Sequence, residues 1–72
     1  MSRYTWFGWD SGEDVTPPEP DKEWITIADD GEELATIVHR PTGHPDSEKW
    51  RLQKERSAQL IVDALNAYDQ GR

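Results

Sequence analysis

Two short runs of β-branched residues, separated by an acidic turn, predict a β-hairpin over residues 22–40. The first run, 24–28, reads Trp-Ile-Thr-Ile-Ala, and the second, 34–38, reads Leu-Ala-Thr-Ile-Val. Residues branched at Cβ favour strands because they pack well on a pleated surface. The Asp30-Gly31 pair between the runs suits a tight turn, since both residue types tolerate positive φ. Antiparallel strands are therefore expected near 24–28 and 33–38.

The turn also determines the register expected for the hairpin. A two-residue loop pairs Ile27 with Leu34 and Ile25 with Thr36, and successive side chains then alternate between faces. A three-residue loop with a bulge would shift this register. The predicted core face comprises Ile25, Ile27, Leu34 and Val38, and the opposite face carries the pair Trp24 and Ile37.

A longer periodic segment predicts one amphipathic helix over residues 45–69. Pro45 suits the first helical turn, and Asp46 or Ser47 can act as the cap. Gly71 is a suitable stop, because glycine readily ends a helix.

The helix carries an apolar stripe on one side at 100° per residue. Ile61 and Leu65 lie within this stripe, so they are expected among the most buried helix residues, facing Ile25 or Ile27. The whole stripe comprises Trp50, Ala58, Ile61, Leu65 and Tyr68, widened by Leu60, Val62 and Ala64.

The N-terminal part of the chain divides into an aromatic cluster and an acidic, proline-rich segment. Residues 10–21 read as an extended linker, because proline blocks helix and removes donors from a sheet. Residues 4–7 offer a third strand that pairs back across this linker. The fold class expected is α+β: a two- or three-stranded antiparallel sheet packed against one long C-terminal amphipathic helix. The single domain 1–72 then comprises 1–21, the hairpin 22–40 and the helix 45–69.

Composition narrows the classes of function. The 72 residues include no cysteine, four tryptophans and a formal net charge of −7. So short a chain builds one core, and without disulfides it is expected in the cytoplasm. No run approaches the roughly 18 apolar residues of a membrane span. The acidic balance disfavours both anionic lipid surfaces and direct binding of nucleic acid.

Candidate chemistry is sparse, and no catalytic, cofactor-binding or metal-binding residue is assigned. His39, His44 and Asp46 form a string that matches no established metal-ligand spacing. The acids around the hairpin turn lack the ligand spacing of a calcium loop. Pro17 and Pro20 satisfy Pro-x-x-Pro but lack a flanking basic residue. The chain is therefore expected to be no enzyme and to need no cofactor.

Charge and aromatic residues together suggest a contact site for another protein. Residues 10–33 hold ten acidic residues and one basic residue, whereas residues 40–56 hold five basic and three acidic ones. Such an acidic segment would steer the protein toward a partner with a basic surface. The N-terminal aromatics either anchor this partner or complete the core of an edge strand. The predicted partner-binding residues are Trp6, Phe7, Trp9, Asp10, Glu13 and Asp14.

Residues 24–36, followed by residues 58–68 with their Ile-Val-x-Ala-Leu-Asn pattern, resemble small uncharacterised proteins of bacteriophages, especially those that infect actinobacteria. The resemblance implies an accessory protein that acts on phage or host machinery in the bacterial cytoplasm. It implies no catalytic or binding residues.

Three functions follow from these observations. The first is a protein-interaction module, phage-encoded, that binds and modulates a host or phage protein. The second is an acidic DNA mimic that inhibits a nuclease or a DNA-binding protein. The third is a self-assembling structural protein, in which the helix or an open sheet edge is buried in a homodimer.

Overall fold

The chain folds into a three-stranded antiparallel sheet with one long helix, in a computed structural model that describes residues 3–41 and 43–71. The strand order is β1-β2-β3. The predicted α+β fold class is confirmed, and the N-terminal aromatic segment supplies the third strand. The elements are β1 (Tyr4–Ser11), a 3₁₀ turn (Gly12–Asp14), β2 (Glu23–Asp29), β3 (Glu32–His39) and α1 (Ser47–Gln70).

The predicted hairpin turn forms at Asp30 and Gly31. Their φ values are 52° and 87°, so both residues occupy the left-handed region that a tight two-residue hairpin loop requires. Asp29 pairs with Glu32 directly across this loop.

The predicted register of the hairpin is wrong beyond the first two pairs, because β3 contains a bulge. Ala28 pairs with Glu33, but the next pair joins Ile27 to Ala35. Leu34 is therefore an extra residue on β3 with no partner of its own on β2. One inserted residue exchanges the two faces for the rest of the strand.

The bulge changes which β3 side chains enter the core. Ile25 pairs with Ile37, and Trp24 pairs with Val38. Leu34 and Val38, which the sequence pattern places in the core, are 52% and 45% exposed. Ile37 takes the inward position instead and is half-buried.

The helix ends where the sequence predicts, but its buried face is rotated from the predicted one. Ala58 and Val62 are 0% and 5% exposed, and Leu65 is half-buried. Ile61 is 40% exposed, so its predicted burial is wrong. The most buried helix side chains are thus smaller than that of Ile61. The fully buried apolar core comprises Ile25, Ile27, Ala28, Ala58 and Val62.

The acidic segment after β1 folds into a compact loop rather than an extended linker. The Gly12 N–H donates to the Lys22 carbonyl over 2.8 Å, and the Glu19 N–H donates to the Gly12 carbonyl over 2.7 Å. A Cβ atom at Gly12 would lie 1.9 Å from the Glu19 carbonyl oxygen. Only glycine fits at this closure, which returns the chain from β1 to β2.

Candidate protein-interaction site

The two N-terminal tryptophans lie between β1 and the helix. The Trp6 indole N–H donates to Gln59 Oε1 over 2.9 Å, and the Trp9 indole N–H donates to Glu55 Oε1 over 2.8 Å. Both tryptophans are half-buried. Buried indole rings commonly find such a partner for their N–H group. This geometry gives Trp6 and Trp9 a packing role, and their predicted contact with a partner stays a prediction.

A polar cluster surrounds Trp9 inside the protein. The Arg51 guanidinium lies 5.0 Å from the centre of the Trp9 ring, and the His39 ring meets it edge-on at 5.9 Å. Glu23 Oε1 lies 3.2 Å from Arg51 Nε, in an ion pair whose angle does not make a hydrogen bond, and 3.9 Å from His39 Nε2. His39 is 3% exposed. The cluster joins all three strands to the helix.

The second histidine belongs to the start of the helix. His44 stacks on Trp50 with ring centres 4.8 Å apart. The Asp46 backbone N–H donates to His44 Nδ1 over 3.1 Å. Among the residues that the structure describes, no group of three His, Asp or Glu side chains is placed to hold a metal ion.

The sheet face opposite the helix carries exposed apolar side chains. Paired residues on neighbouring strands share a face, and Trp24 pairs with Asp10 on one side and Val38 on the other. Phe7 pairs with Thr26 on the same face and is 52% exposed. We call this surface, formed by Phe7, Asp10, Trp24 and Val38 around the buried Thr26, the open face.

The structure places the predicted acidic residues near one end of β1. Asp10 lies on the open face, and Glu13 and Asp14 follow in the exposed 3₁₀ turn. The Glu13 N–H donates to Ser11 Oγ over 3.1 Å, which holds the turn against the strand. Phe7 and Asp10 thus share one surface, whereas Trp6 and Trp9 lie on the other side of the sheet.

Internal ion pairs neutralise part of the acidic segment. Arg3 Nε lies 2.6 Å from Asp29 Oδ1, and Lys22 Nζ lies 2.8 Å from Glu19 Oε1. Glu23 is paired with Arg51 inside the protein. The hydrogen bond to Asp29, helped by that carboxylate's charge, raises the pKa of Arg3 above its ordinary value. Exposed acids such as Asp10 therefore carry the outward negative charge.

A broad groove of about 1050 Å³ opens beside β3. Its walls include Thr36 and Val38 from one side of the strand and His39 from the other, together with Trp50 and Ser57 of the helix. Because residues from both faces of β3 line it, the groove opens along the free edge of that strand. Sequence reasoning missed this groove, because the groove depends on where the helix lies across the sheet.

Comparisons with protein-family models, with curated proteins and with solved structures find no significant match. No ligand set or partner transfers to the chain from a relative. Within residues 3–41 and 43–71, no helix combines the length and apolar character that crossing a bilayer requires. The open face and the β3 groove are therefore the two candidate surfaces for binding.

Proposed function

We propose that the protein is a small acidic interaction domain that binds another protein through the open face, without catalysis. One observation carries the proposal: the helix covers only one side of the sheet, and the other side keeps apolar side chains in solvent. Phe7 is 52% exposed and Val38 is 45% exposed, on the two outer strands of that side. The half-buried Trp24 lies on the central strand between those two strands.

The open face has the layout of a contact site. Trp24 lies at its centre with Phe7 and Val38 on either side, and apolar side chains of this kind supply affinity when they are buried. Asp10 lies at its margin, and Glu13 and Asp14 continue the negative charge beyond the end of β1. Charges around such a centre speed encounter with an oppositely charged partner. The expected partner therefore presents an apolar pocket with a basic rim.

The alternative of a DNA mimic has less support from these observations. A surface that imitates a phosphate track needs a continuous row of unpaired acids, and Glu19, Glu23 and Asp29 are paired internally. The phage resemblance of residues 24–68 leads us to place the proposed binding in the cytoplasm of an infected bacterium, where the domain would modulate a host or phage protein.

The test compares capture of bacterial proteins by immobilised wild-type chain and by matched variants. Phe7→Thr and Val38→Thr remove apolar surface from the open face while keeping residues that favour strands. Leu60→Gln removes an apolar group that is 71% exposed on the helix, and serves as the control. Thermal melts check that each variant stays folded.

We expect one protein to bind the wild type and the Leu60→Gln variant but to bind neither threonine variant. Retention on the Phe7→Thr variant, or equal loss from the Leu60→Gln variant, would contradict the open face as the site. Displacement of the captured protein by duplex DNA would favour the DNA-mimic function instead.

A further inference from the structure

We propose that the free edge of β3 binds an extended peptide segment of a partner protein, which joins the sheet as a fourth strand and carries acidic side chains alternating with apolar ones. In this mode of recognition, backbone hydrogen bonds supply affinity, and the side chains on either side of the added strand supply specificity. The site shares Trp24 and Val38 with the open face but does not include Phe7. The two edges of the sheet differ in whether they can accept such a strand.

The β1 edge is capped by the protein itself. The Tyr4 N–H donates to Asn66 Oδ1 over 2.9 Å, and Asn66 Nδ2 donates back to the Tyr4 carbonyl over 3.0 Å. The side-chain amide thus occupies both outward backbone groups of Tyr4, as a neighbouring strand would. A bulge between Phe7 and Asp10 also interrupts this strand, and bulges discourage edge pairing.

The β3 edge has no comparable cap in the part of the chain that the structure describes. The backbone hydrogen bonds of the strand there are those with β2. Because Leu34 is an extra residue, the regular segment that can accept a further strand comprises residues 35–39. Every second residue of this segment directs its backbone groups outward. A second copy of β3 would bring the irregularity at Leu34 to the pair twice, whereas a separate extended segment brings none.

The groove beside β3 opens on both sides of the strand, as an added strand requires. Its walls include Thr36 and Val38 from one face of the sheet, and Trp50 and Ser57 of the helix on the other face. An added strand lies in the plane of the sheet, so its side chains point alternately toward these two walls. A helix docked on one face of the sheet would meet only one of them. The groove therefore favours an extended occupant.

Two cations in the groove favour acidic side chains in its occupant. Arg40 and Lys54 line the groove, and within the described part of the chain neither forms an ion pair. Lys22, also in the lining, is already paired with Glu19 over 2.8 Å. Glu33 is the further acid of the lining, so the groove has a small positive charge in a chain of net charge −7. Acids of a partner would pair with Arg40 and Lys54 without displacing an internal ion pair.

The two walls of the groove differ in chemistry, which gives the alternation expected in the partner segment. On the helix side, Lys54 lies beside Trp50 and Ser57, so an acidic side chain is expected to point there. On the other side, Val38 is 45% exposed and Trp24 is half-buried, so an apolar side chain is expected to cover them. Because successive residues of a strand point to opposite faces, acidic and apolar residues alternate along the segment.

The first test selects ligands from a displayed library of random peptides about seven residues long. The wild-type chain is expected to enrich peptides in which Asp or Glu alternates with apolar residues. The Lys54→Glu variant should enrich peptides with Lys or Arg in place of an acid, because opposite charges pair. Arg56→Glu changes an exposed helix residue outside the groove lining and is the matched control. It should enrich the same peptides as the wild type, and thermal melts check that both variants are folded.

The second test asks whether an enriched peptide pairs through its backbone. Two versions of the peptide are N-methylated at alternate positions, one at odd and one at even residues, so that each loses the N–H donors of one edge. Only one edge of an added strand faces β3, so one version should bind at least about tenfold more weakly and the other should bind like the parent peptide. Fluorescence anisotropy measures both dissociation constants. The Phe7→Thr variant should bind the parent peptide like wild type.

Four results would overturn the proposal. Failure of the wild-type chain to enrich acidic, alternating peptides would show that Arg40 and Lys54 protect the edge from pairing. Equal affinities of the two N-methylated versions would show that the peptide does not join the sheet. Loss of peptide binding in the Phe7→Thr variant would assign the peptide to the open face. Self-association of the wild-type chain that excludes the peptide, measured by sedimentation velocity, would assign the edge to a second copy.

Discussion

The indole N–H of Trp9 donates a 2.8 Å hydrogen bond to the carboxylate of Glu55, and this bond fastens the bulged part of β1 to the helix. The same ring supports the Arg51 guanidinium at 5.0 Å and meets the buried His39 edge-on. Trp9 is therefore the residue around which the internal polar cluster is organised.

Trp9→Phe should lower the free energy of unfolding by about 1–3 kcal/mol, because it leaves a half-buried carboxylate without its donor. Urea denaturation of the variant and the wild type measures the loss. Trp50→Phe makes the same change at a residue that is 37% exposed, and it should cost much less. Equal losses in the two variants would show that the bond to Glu55 adds little.

Ile25→Ala should destabilise the fold by about 2–5 kcal/mol, since the side chain is 0% exposed and its removal leaves a cavity. Ile61→Ala removes the same atoms from a residue that is 40% exposed. Its cost should be less than half as large in dilute solution. Thermal melts of the pair compare them directly, and a larger loss at position 61 would place the core on the other side of the helix.

Gly12→Ala should open the loop that follows β1, because the new Cβ would lie 1.9 Å from the Glu19 carbonyl oxygen. The backbone must move, at a cost of about 1–3 kcal/mol or more. Gly43→Ala is the matched control, since no atom lies within 4 Å of its Cβ position. Limited proteolysis within residues 12–22 should be faster in the first variant and unchanged in the second.

Asn66→Ala should both destabilise the chain and expose a sheet edge. It removes two hydrogen bonds to the Tyr4 backbone, for a loss of about 1–3 kcal/mol. Light scattering at raised concentration should then show association through β1, because an uncapped edge can pair with other chains. Gln70→Ala, an exposed change near the helix end, should leave scattering unchanged. If the Asn66→Ala variant scatters no more than this control, Asn66 does not protect the edge.

Local signals in the sequence were sufficient for the two hairpin strands and for the end of the helix, but not for residues 8–14, which continue β1 and form the 3₁₀ turn. Asp30 and Gly31 specify the tight turn, and β-branched runs specify the strands around it. The position of the helix end before Gly71 also followed from residue type. These features depend on neighbours within a few positions, which is why a single sequence reveals them.

Two wrong predictions, the hairpin register and the buried face of the helix, concern contacts between distant segments. The bulge at Leu34 has no signature in its own residue type, yet it exchanges the faces of Val38 and Ile37. The helix buries Ala58 and Val62 rather than the larger Ile61, whereas the indole rings of β1 meet the helix at Glu55 and Gln59. An apolar stripe identifies a helix that packs against the rest of the protein, but it does not identify which side chains of the stripe lie closest to the sheet.

The candidate site was predicted only in part, for the same reason. Phe7 and Asp10, two of the six residues predicted to bind a partner, share the open face, and their role in binding stays a prediction. The sequence did not separate Phe7 from its neighbours Trp6 and Trp9, because the assignment of faces depends on pairing with β2. The groove beside β3 required knowing how far the helix is displaced toward β1.

The hydrogen bonds between β1 and the helix span 46 to 62 positions of sequence, whereas the two strands of the hairpin are joined by a two-residue turn. Contacts between residues close in sequence cost little loop-closure entropy. Contacts between distant residues form only when the chain between them is ordered. Releasing either β1 or the helix removes the hydrogen bonds that join the two, so we expect them to open as one cooperative unit. Amide hydrogens of β1 should then exchange with solvent at the rate at which the C-terminal helix opens. The amides that join β2 to β3 should remain protected for longer.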